Sequence, residues 1–157
     1  MNLLAYSRET RALRFVSIIA CCLLLGFIQF AHAGPLDEAK AKAHLQAVSA
    51  GDLDALMRDY SADAYMDWVG GSLEGRYRDK AAISEVWKKF IAINGGKPRP
   101  AKLGKLESYS NPKGTSFAVS AEYGGDKPVK VWHVLTYRDG QLVTEIWQIS
   151  PAIEIAP

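Results

Sequence analysis

Two side chains able to exchange protons, His133 and Glu145, stand in segments of alternating apolar and polar residues near the end of the sequence. The apolar neighbours predict that both point to the same inward face of two adjacent strands. An imidazole can give or take a proton near neutral pH, and a carboxylate can be its partner. The pattern therefore predicts an acid/base pair. Two alternatives stay open: a histidine satisfied by structural hydrogen bonds, and a strand of opposite phase that exposes Glu145.

The same alternation predicts apolar side chains around the pair that would hold the carbon skeleton of a ligand. The predicted ligand-binding residues are Met66, Asp67, Trp68, Phe117, Val119, Tyr123, Val131, Leu135 and Trp147. Asp67 is out of phase with this set and would enter it only through a β-bulge. The alternative for Asp67 is an ion pair with Arg76 or Arg78. On the last strand the alternation also predicts Val143 and Ile149 inward.

The remaining composition excludes several kinds of site. Both cysteines, Cys21 and Cys22, lie in a segment predicted to be removed, which excludes thiol chemistry. No His-x-x-x-His pair, glycine-rich phosphate loop or Gly-x-Ser-x-Gly motif occurs. We therefore predict no metal site and no cofactor.

The first 33 residues have the pattern of an export signal. Three arginines precede an apolar run from 15 to 30, and Ala31-His32-Ala33 offers a cleavage site. We predict a signal peptide over 1–33, a mature domain over 34–157 and a secreted or periplasmic location. An uncleaved anchor and lipidation at Cys21 are the alternatives. The first 33 residues hold three of the 19 basic and one of the 17 acidic residues, so 16 of each remain. This balance favours neither nucleic-acid binding nor membrane binding after cleavage.

Periodicity divides the mature chain into helices followed by strands. A helix is predicted over 36–50, with Leu36, Ala39, Ala43 and Ala47 as its apolar stripe. Asp52 and Asp79 are predicted to cap two further helices. Strands are predicted over 64–69, 103–109, 115–123, 128–138 and 141–149, with turns rich in Gly, Pro and Asp between the later ones. This order indicates one domain of the α+β class.

Three stretches of the sequence carry a family resemblance: Ala50-Gly51-Asp52-Leu53-Asp54-Ala55, the strand ending in Met66-Asp67-Trp68, and the closing stretch from Trp132 to Val143 with its Asp139-Gly140 turn. Together they resemble the nuclear transport factor 2-like superfamily. That superfamily includes SnoaL-like polyketide cyclases and ketosteroid isomerases. The resemblance implies a cone-shaped fold, with three N-terminal helices over a curved antiparallel sheet that encloses one deep pocket.

The resemblance also adds a third candidate catalytic residue. His44 lies where the steroid isomerases carry the tyrosine of their oxyanion hole, and His133 where they carry its protonated aspartate. Their general-base aspartate corresponds here to Trp68, so steroid isomerase chemistry by that mechanism is not expected. Two functions stay open: a protein that binds a small, mostly apolar molecule and acts on it as an isomerase, cyclase, dehydratase or hydrolase, or a non-catalytic binding or assembly module of the cell envelope.

A homodimer is also expected from the sequence. Outward positions on the last two strands are predicted to carry Trp132, Val134, Leu142 and Ile146, a patch that monomers seldom leave in water. The superfamily resemblance implies pairing through the sheet. The alternative is that the C-terminal tail, residues 151–155, covers the patch within one chain.

Overall fold

The computed structural model describes residues 35–156, so the predicted signal peptide with both cysteines lies outside the described residues. The helices are α1 (Pro35–Ala50), α2 (Leu53–Met57) and α3 (Lys80–Ile93), and the strands are β1 (Tyr60–Val69), β2 (Gly75–Arg78), β3 (Ala101–Leu103), β4 (Glu107–Asn111), β5 (Gly114–Tyr123), β6 (Val129–Arg138) and β7 (Gln141–Ile149). Within the described range, none of the helices has the length and apolarity needed to cross a membrane.

The strands form one mixed sheet in the order β2-β1-β7-β6-β5-β3, with β4 paired to β5. The hairpin neighbours are antiparallel, whereas β1 pairs with β7 in parallel. The α+β class is confirmed, but the prediction of an antiparallel sheet is wrong at this pair. Alternation along a strand carries no information about the direction of a partner that is distant in sequence. Of the three described helices, α3 also follows β1 and β2 rather than preceding the sheet.

The predicted caps and turns are present. The Asp52 carboxylate accepts from the backbone N–H of Ala55 at 3.0 Å, and Asp79 accepts from Ala82 N–H at 2.9 Å. Asp139 and Gly140 both have positive φ, 50° and 71°, as a tight hairpin turn requires. These local signals therefore predicted where two helices begin and where β6 turns into β7.

The apolar stripe predicted for α1 is wrong at Leu36, Ala39 and Ala43, which are exposed, Leu36 by 79%, whereas Ala47 is buried as predicted. The helix instead buries a neighbouring face. That face consists of Asp37, Ala41, His44, Leu45, Ala47 and Val48. Alanine has little apolar area to bury, so the larger Leu45 and Val48 determine which side meets the sheet.

The sheet face that meets the helices, called here the inner face, carries the core. Strand β5 shows strict alternation, with Phe117, Val119, Ala121 and Tyr123 buried. Strand β7 departs from the prediction near its start, because Thr136 pairs with Thr144 while Tyr137 pairs with Leu142. The bulge at Val143 puts Leu142, not Val143, in the core and restores the expected phase from Glu145 onward.

Two features of the strands were not predicted. Strand β2, a four-residue strand over Gly75–Arg78, pairs antiparallel with β1. The strand expected over 103–109 is divided into β3 and β4. The break falls at Gly104, where an added Cβ would lie 2.5 Å from Ser120 Oγ and 2.8 Å from the carbonyl oxygen of Ala156. The chain passes too close to its neighbours there for any residue with a side chain.

Candidate functional site

Glu145 is the centre of a buried polar cluster on the inner face. Its strand β7 lies between β1 and β6, and Glu145 pairs with Met66 on one side and Leu135 on the other. Oε1 lies 3.1 Å from His44 Nε2 and 2.5 Å from His133 Nε2, and Oε2 accepts a hydrogen bond from the Tyr60 hydroxyl. The Glu145 carboxylate therefore joins two imidazoles and a phenol that come from three other elements.

A second layer of contacts holds the cluster in place. The Trp87 indole N–H donates to Tyr60 Oη at 3.0 Å, which orients the phenol towards Glu145. The His44 ring lies 5.6 Å from the Tyr60 ring and 5.8 Å from the His133 ring, between centroids. Because His44 comes from α1, Tyr60 from β1 and Trp87 from α3, the cluster ties two helices to the sheet.

Burial sets the electrostatics of the cluster. Glu145 and His133 are 0% exposed. Burial raises the pKa of Glu145, and the nearby His44 opposes part of that rise. Burial also holds the pKa of His133 well below its ordinary value, and the charge of His44 lowers this pKa further. Both effects favour the neutral form of the His133 imidazole.

An aromatic layer separates this cluster from solvent. The Trp147 ring is 5.0 Å from His133 and packs against Trp68, Phe90 and Tyr123 at 5.1, 5.2 and 5.3 Å. Trp147 itself is completely buried. The acid/base groups therefore face side chains rather than open volume.

A pocket opens on the other side of this layer. It has a volume of about 170 Å³. Its lining consists of Trp68, Gly71, Ser72, Leu73, Phe90, Ile93, Arg99, Lys127, Val129 and Ile149. None of His44, His133 and Glu145 contributes to it. The inner face thus carries a pocket with apolar walls, called here the mouth pocket, and a closed polar cluster that Trp68 and Trp147 separate from it.

Several buried polar atoms have no hydrogen-bond partner among residues 35–156. They include Trp68 Nε1, Trp147 Nε1, Tyr123 Oη and His133 Nδ1. Unpaired buried polar atoms are uncommon in folded proteins, because each loses its hydrogen bonds to water. Here they gather around the aromatic layer, and Trp68 also lines the mouth pocket.

The structure brings together the three predicted catalytic residues, with Glu145 in direct contact with both His44 and His133. The predicted ligand-binding residues are all buried on the inner face except Asp67. Of these, only Trp68 lines the mouth pocket. Asp67 has the opposite orientation and bonds Arg76 at 3.2 Å. The β1 register against β7 is regular from Tyr65 to Val69, so no bulge turns Asp67 inward.

The predicted site residues did not include Tyr60, Trp87 or Arg99, and of the ten residues that line the pocket they included only Trp68. Tyr60 precedes the predicted start of β1 at Ala64, and the β1 register shifts between Tyr60 and Tyr65, so the alternation of Met66 and Trp68 does not determine its orientation. Arg99 lies in the Pro-flanked segment between α3 and β3, is buried, and donates to the carbonyl oxygens of Gly124 and Lys127 at 3.0 and 3.1 Å. No feature of composition distinguishes Arg99 from a solvated linker residue.

No protein-family model matches the sequence, and no curated protein matches it. Solved structures do match. An NTF2-like protein of unknown function from Burkholderia xenovorans LB400 is 24% identical, with 78% of this chain and 88% of that chain covered and a TM-score of 0.56. A ketosteroid isomerase-like protein from Erwinia carotovora atroseptica is 16% identical, with 74% of this chain and 95% of that chain covered and a TM-score of 0.59.

A third similar structure is SalBIII, an epoxide hydrolase/cyclase-like enzyme with a role in pyran ring formation in salinomycin. It is 18% identical, with 73% of this chain and 91% of that chain covered and a TM-score of 0.54. These likenesses agree with the mixed sheet, the helices on its inner face and the sequence resemblance noted above. The chain therefore has the nuclear transport factor 2-like fold.

Proposed function

We propose that this protein binds a small molecule and that one apolar, ring-sized group of this ligand enters the mouth pocket. The observation that carries the proposal is the composition of the walls. Six of the lining side chains are apolar or aromatic: Trp68, Leu73, Phe90, Ile93, Val129 and Ile149. A concave apolar surface of this kind favours burial of a carbon skeleton.

The volume limits the class of ligand. An apolar cavity of about 150 Å³ holds a benzene-sized molecule, whereas whole drug-sized ligands occupy roughly 300 to 1,000 Å³. At about 170 Å³ the pocket suits a single ring, with the rest of the ligand outside it. A four-ring skeleton of the steroid type does not fit this volume. The polar residues in the pocket lining, which could orient an oxygen of the ligand, are Ser72, Arg99 and Lys127.

The test is a binding titration of the purified protein with benzoate, p-cresol and naphthalene sulfonate, followed by saturation-transfer NMR. The test variant is Ile93→Glu, because Ile93 lies in the pocket wall and is 48% exposed. The matched control is Leu103→Glu, because Leu103 is 41% exposed on β3 and lies outside the pocket. Ile93→Glu should weaken binding at least about tenfold, because the ligand must then desolvate a carboxylate. Equal loss in both variants, or no binding by any probe, would contradict the proposal.

Acid/base catalysis is the second candidate, and the His44–Glu145–His133 cluster is the observation that favours it. The similar structures described as ketosteroid isomerase-like and epoxide hydrolase/cyclase-like are precedents for chemistry on this fold. Catalysis here requires Trp68 or Trp147 to move so that a ligand reaches His133. A pocket ligand that shifts the ring NMR signals of both histidines would support this candidate. Unchanged signals at saturation would support binding without catalysis.

We also propose that the protein is exported to the periplasm or the medium. Export is equally compatible with the alternative function, a non-catalytic binding or assembly module of the cell envelope. Its support is the arginine-flanked apolar run followed by Ala31-His32-Ala33. N-terminal sequencing of the protein recovered outside the cytoplasm should begin at Gly34. A chain that keeps Met1 and stays with the membrane fraction would contradict cleavage.

A further inference from the structure

We infer that His44, His133 and Glu145 form a binding site for one divalent transition-metal ion. One nitrogen from each imidazole and one carboxylate oxygen lie within 4.8 Å of one another. Two histidines and one carboxylate are an established ligand set for such ions in proteins. No metal site was predicted from the sequence, because none of its histidine pairs stands at helical ligand spacing. Here the three ligands come from α1, β6 and β7.

The distances are close to those that an ion requires. Zinc binds imidazole nitrogen and carboxylate oxygen at about 2.0 to 2.2 Å, which places tetrahedral ligand atoms about 3.3 to 3.5 Å apart. Glu145 Oε1 is 3.1 Å from His44 Nε2 and 2.5 Å from His133 Nε2. A movement of less than about 1 Å by the Glu145 carboxylate would open this arrangement enough for an ion.

The surroundings of the three residues also resemble those of a metal centre. Tyr60 holds Glu145 Oε2 and is itself held by Trp87, so that Oε1 is directed at both imidazoles. Such outer contacts fix the orientation of metal ligands in proteins. Trp147 and the rest of the aromatic layer exclude water from the opposite side.

The ligand atoms determine the class of ion. Two nitrogens and one oxygen favour zinc and its first-row neighbours, whereas magnesium and calcium prefer oxygen ligands alone. We therefore choose Zn²⁺ as the probe and Co²⁺ as a spectroscopic substitute. The competing explanation is a cluster joined by hydrogen bonds alone, in which both imidazoles donate through Nε2 to Glu145.

The experiment uses the full chain without an affinity tag, with Cys21 and Cys22 replaced by Ser so that no thiol binds the ion. Because the cluster is closed to solvent, the protein is unfolded in chelator and refolded with or without Zn²⁺, and bound zinc is measured after gel filtration. We expect one zinc per chain and a melting temperature higher than that of the zinc-free protein, since the ion binds only the folded state. Refolding with Co²⁺ should give visible absorption bands.

Two kinds of variant separate the explanations. Glu145→Gln and His44→Asn should lose the zinc and the cobalt bands, whereas His32→Asn should keep one zinc per chain, because it removes a histidine that is not a proposed ligand. Circular dichroism shows which variants still fold. The wild-type comparison with and without zinc does not depend on any variant folding. Folded wild type without bound zinc, or zinc retained by folded His44→Asn, would overturn the inference. Neither outcome bears on ligand binding in the mouth pocket.

Discussion

Glu145 is the acceptor on which the buried network depends, because His44, His133 and Tyr60 all bond it. Glu145→Ala leaves these three groups without their partner in a closed interior. We expect a loss of about 3 to 5 kcal/mol in the free energy of unfolding, measured by urea denaturation in chelator. The matched control is Glu122→Ala on the partly exposed face of β5, which should change stability by less than about 1 kcal/mol. Similar losses in both variants would show that the network contributes little.

Two buried tyrosines predict alkaline behaviour. Burial raises the pKa of Tyr123 and Tyr137 far above the ordinary tyrosine value of 10.0, and neither hydroxyl has a partner among the described residues. Above that value the unfolded chain loses protons that the folded protein keeps, so stability falls as pH rises. Tyr123→Phe and Tyr137→Phe should cost less than about 1 kcal/mol at pH 7 and shift alkaline unfolding to higher pH.

The measurement is urea denaturation of each variant between pH 7 and pH 11. Phenylalanine keeps the stacking of residue 123 on Trp147 and the edge contact of residue 137 with Phe117, so only the hydroxyl is tested. A loss above about 2 kcal/mol at pH 7 would reveal a hydrogen bond to the hydroxyl.

At the scale of elements, Arg99 connects the segment after α3 to the turn between β5 and β6. Its guanidinium donates to Gly124 and Lys127 carbonyl oxygens and lies over the Phe90 ring at 4.8 Å. Arg99→Met keeps much of the apolar stem but leaves two carbonyls unpaired. We expect a loss of about 2 to 3 kcal/mol. Arg76→Met, which breaks the exposed pair with Asp67 and the exposed contact with the Tyr65 ring, should cost less than about 1 kcal/mol.

Both arginine variants can be compared by thermal and urea unfolding in the same buffer. The difference between them separates a buried tie between elements from a solvated ion pair. If Arg76→Met were the more damaging change, the β1–β2 edge rather than the segment before β3 would limit stability. Ligand binding in the mouth pocket should also weaken in Arg99→Met, because Arg99 lines that pocket.

For the whole molecule, we propose a homodimer through the outer face of β6 and β7. The predicted patch is smaller than expected, because Leu142 is buried in the core. Trp132 remains 40% exposed, and Val134 lies opposite Ile146 on the same face. The C-terminal tail runs beside this patch, where Ala156 and Trp132 line a shared groove. Two-fold pairing would bury the remaining apolar surface against its own copy.

Sedimentation of the purified protein at micromolar concentration tests the dimer. We expect a dimer for the wild type and a monomer for Trp132→Glu, because an unpaired carboxylate at the centre of the interface must lose its water. Leu103→Glu, at similar exposure on β3, is the control and should stay dimeric. A wild type that sediments as a monomer at every concentration would indicate that the tail suffices to cover the patch.

The features that followed from the sequence are those set by neighbouring residues. Alternation along β5, β6 and β7 predicted the inward orientation of His133 and Glu145, and Asp52, Asp79 and Asp139-Gly140 predicted caps and a turn. These signals act over a few residues, where side-chain direction and backbone geometry are fixed by the local conformation. The resemblance to known families added the fold and drew attention to His44.

Contacts between distant segments were decided only by the tertiary structure. The parallel pairing of β1 with β7 brings Tyr60 to the strand that carries Glu145, and the burial of Leu45 and Val48 turns His44 inward against the predicted stripe. The closure of the site depends on how Trp68, Phe90 and Trp147 pack together. Such packing depends on side-chain volumes from four elements at once, which no single stretch of sequence encodes.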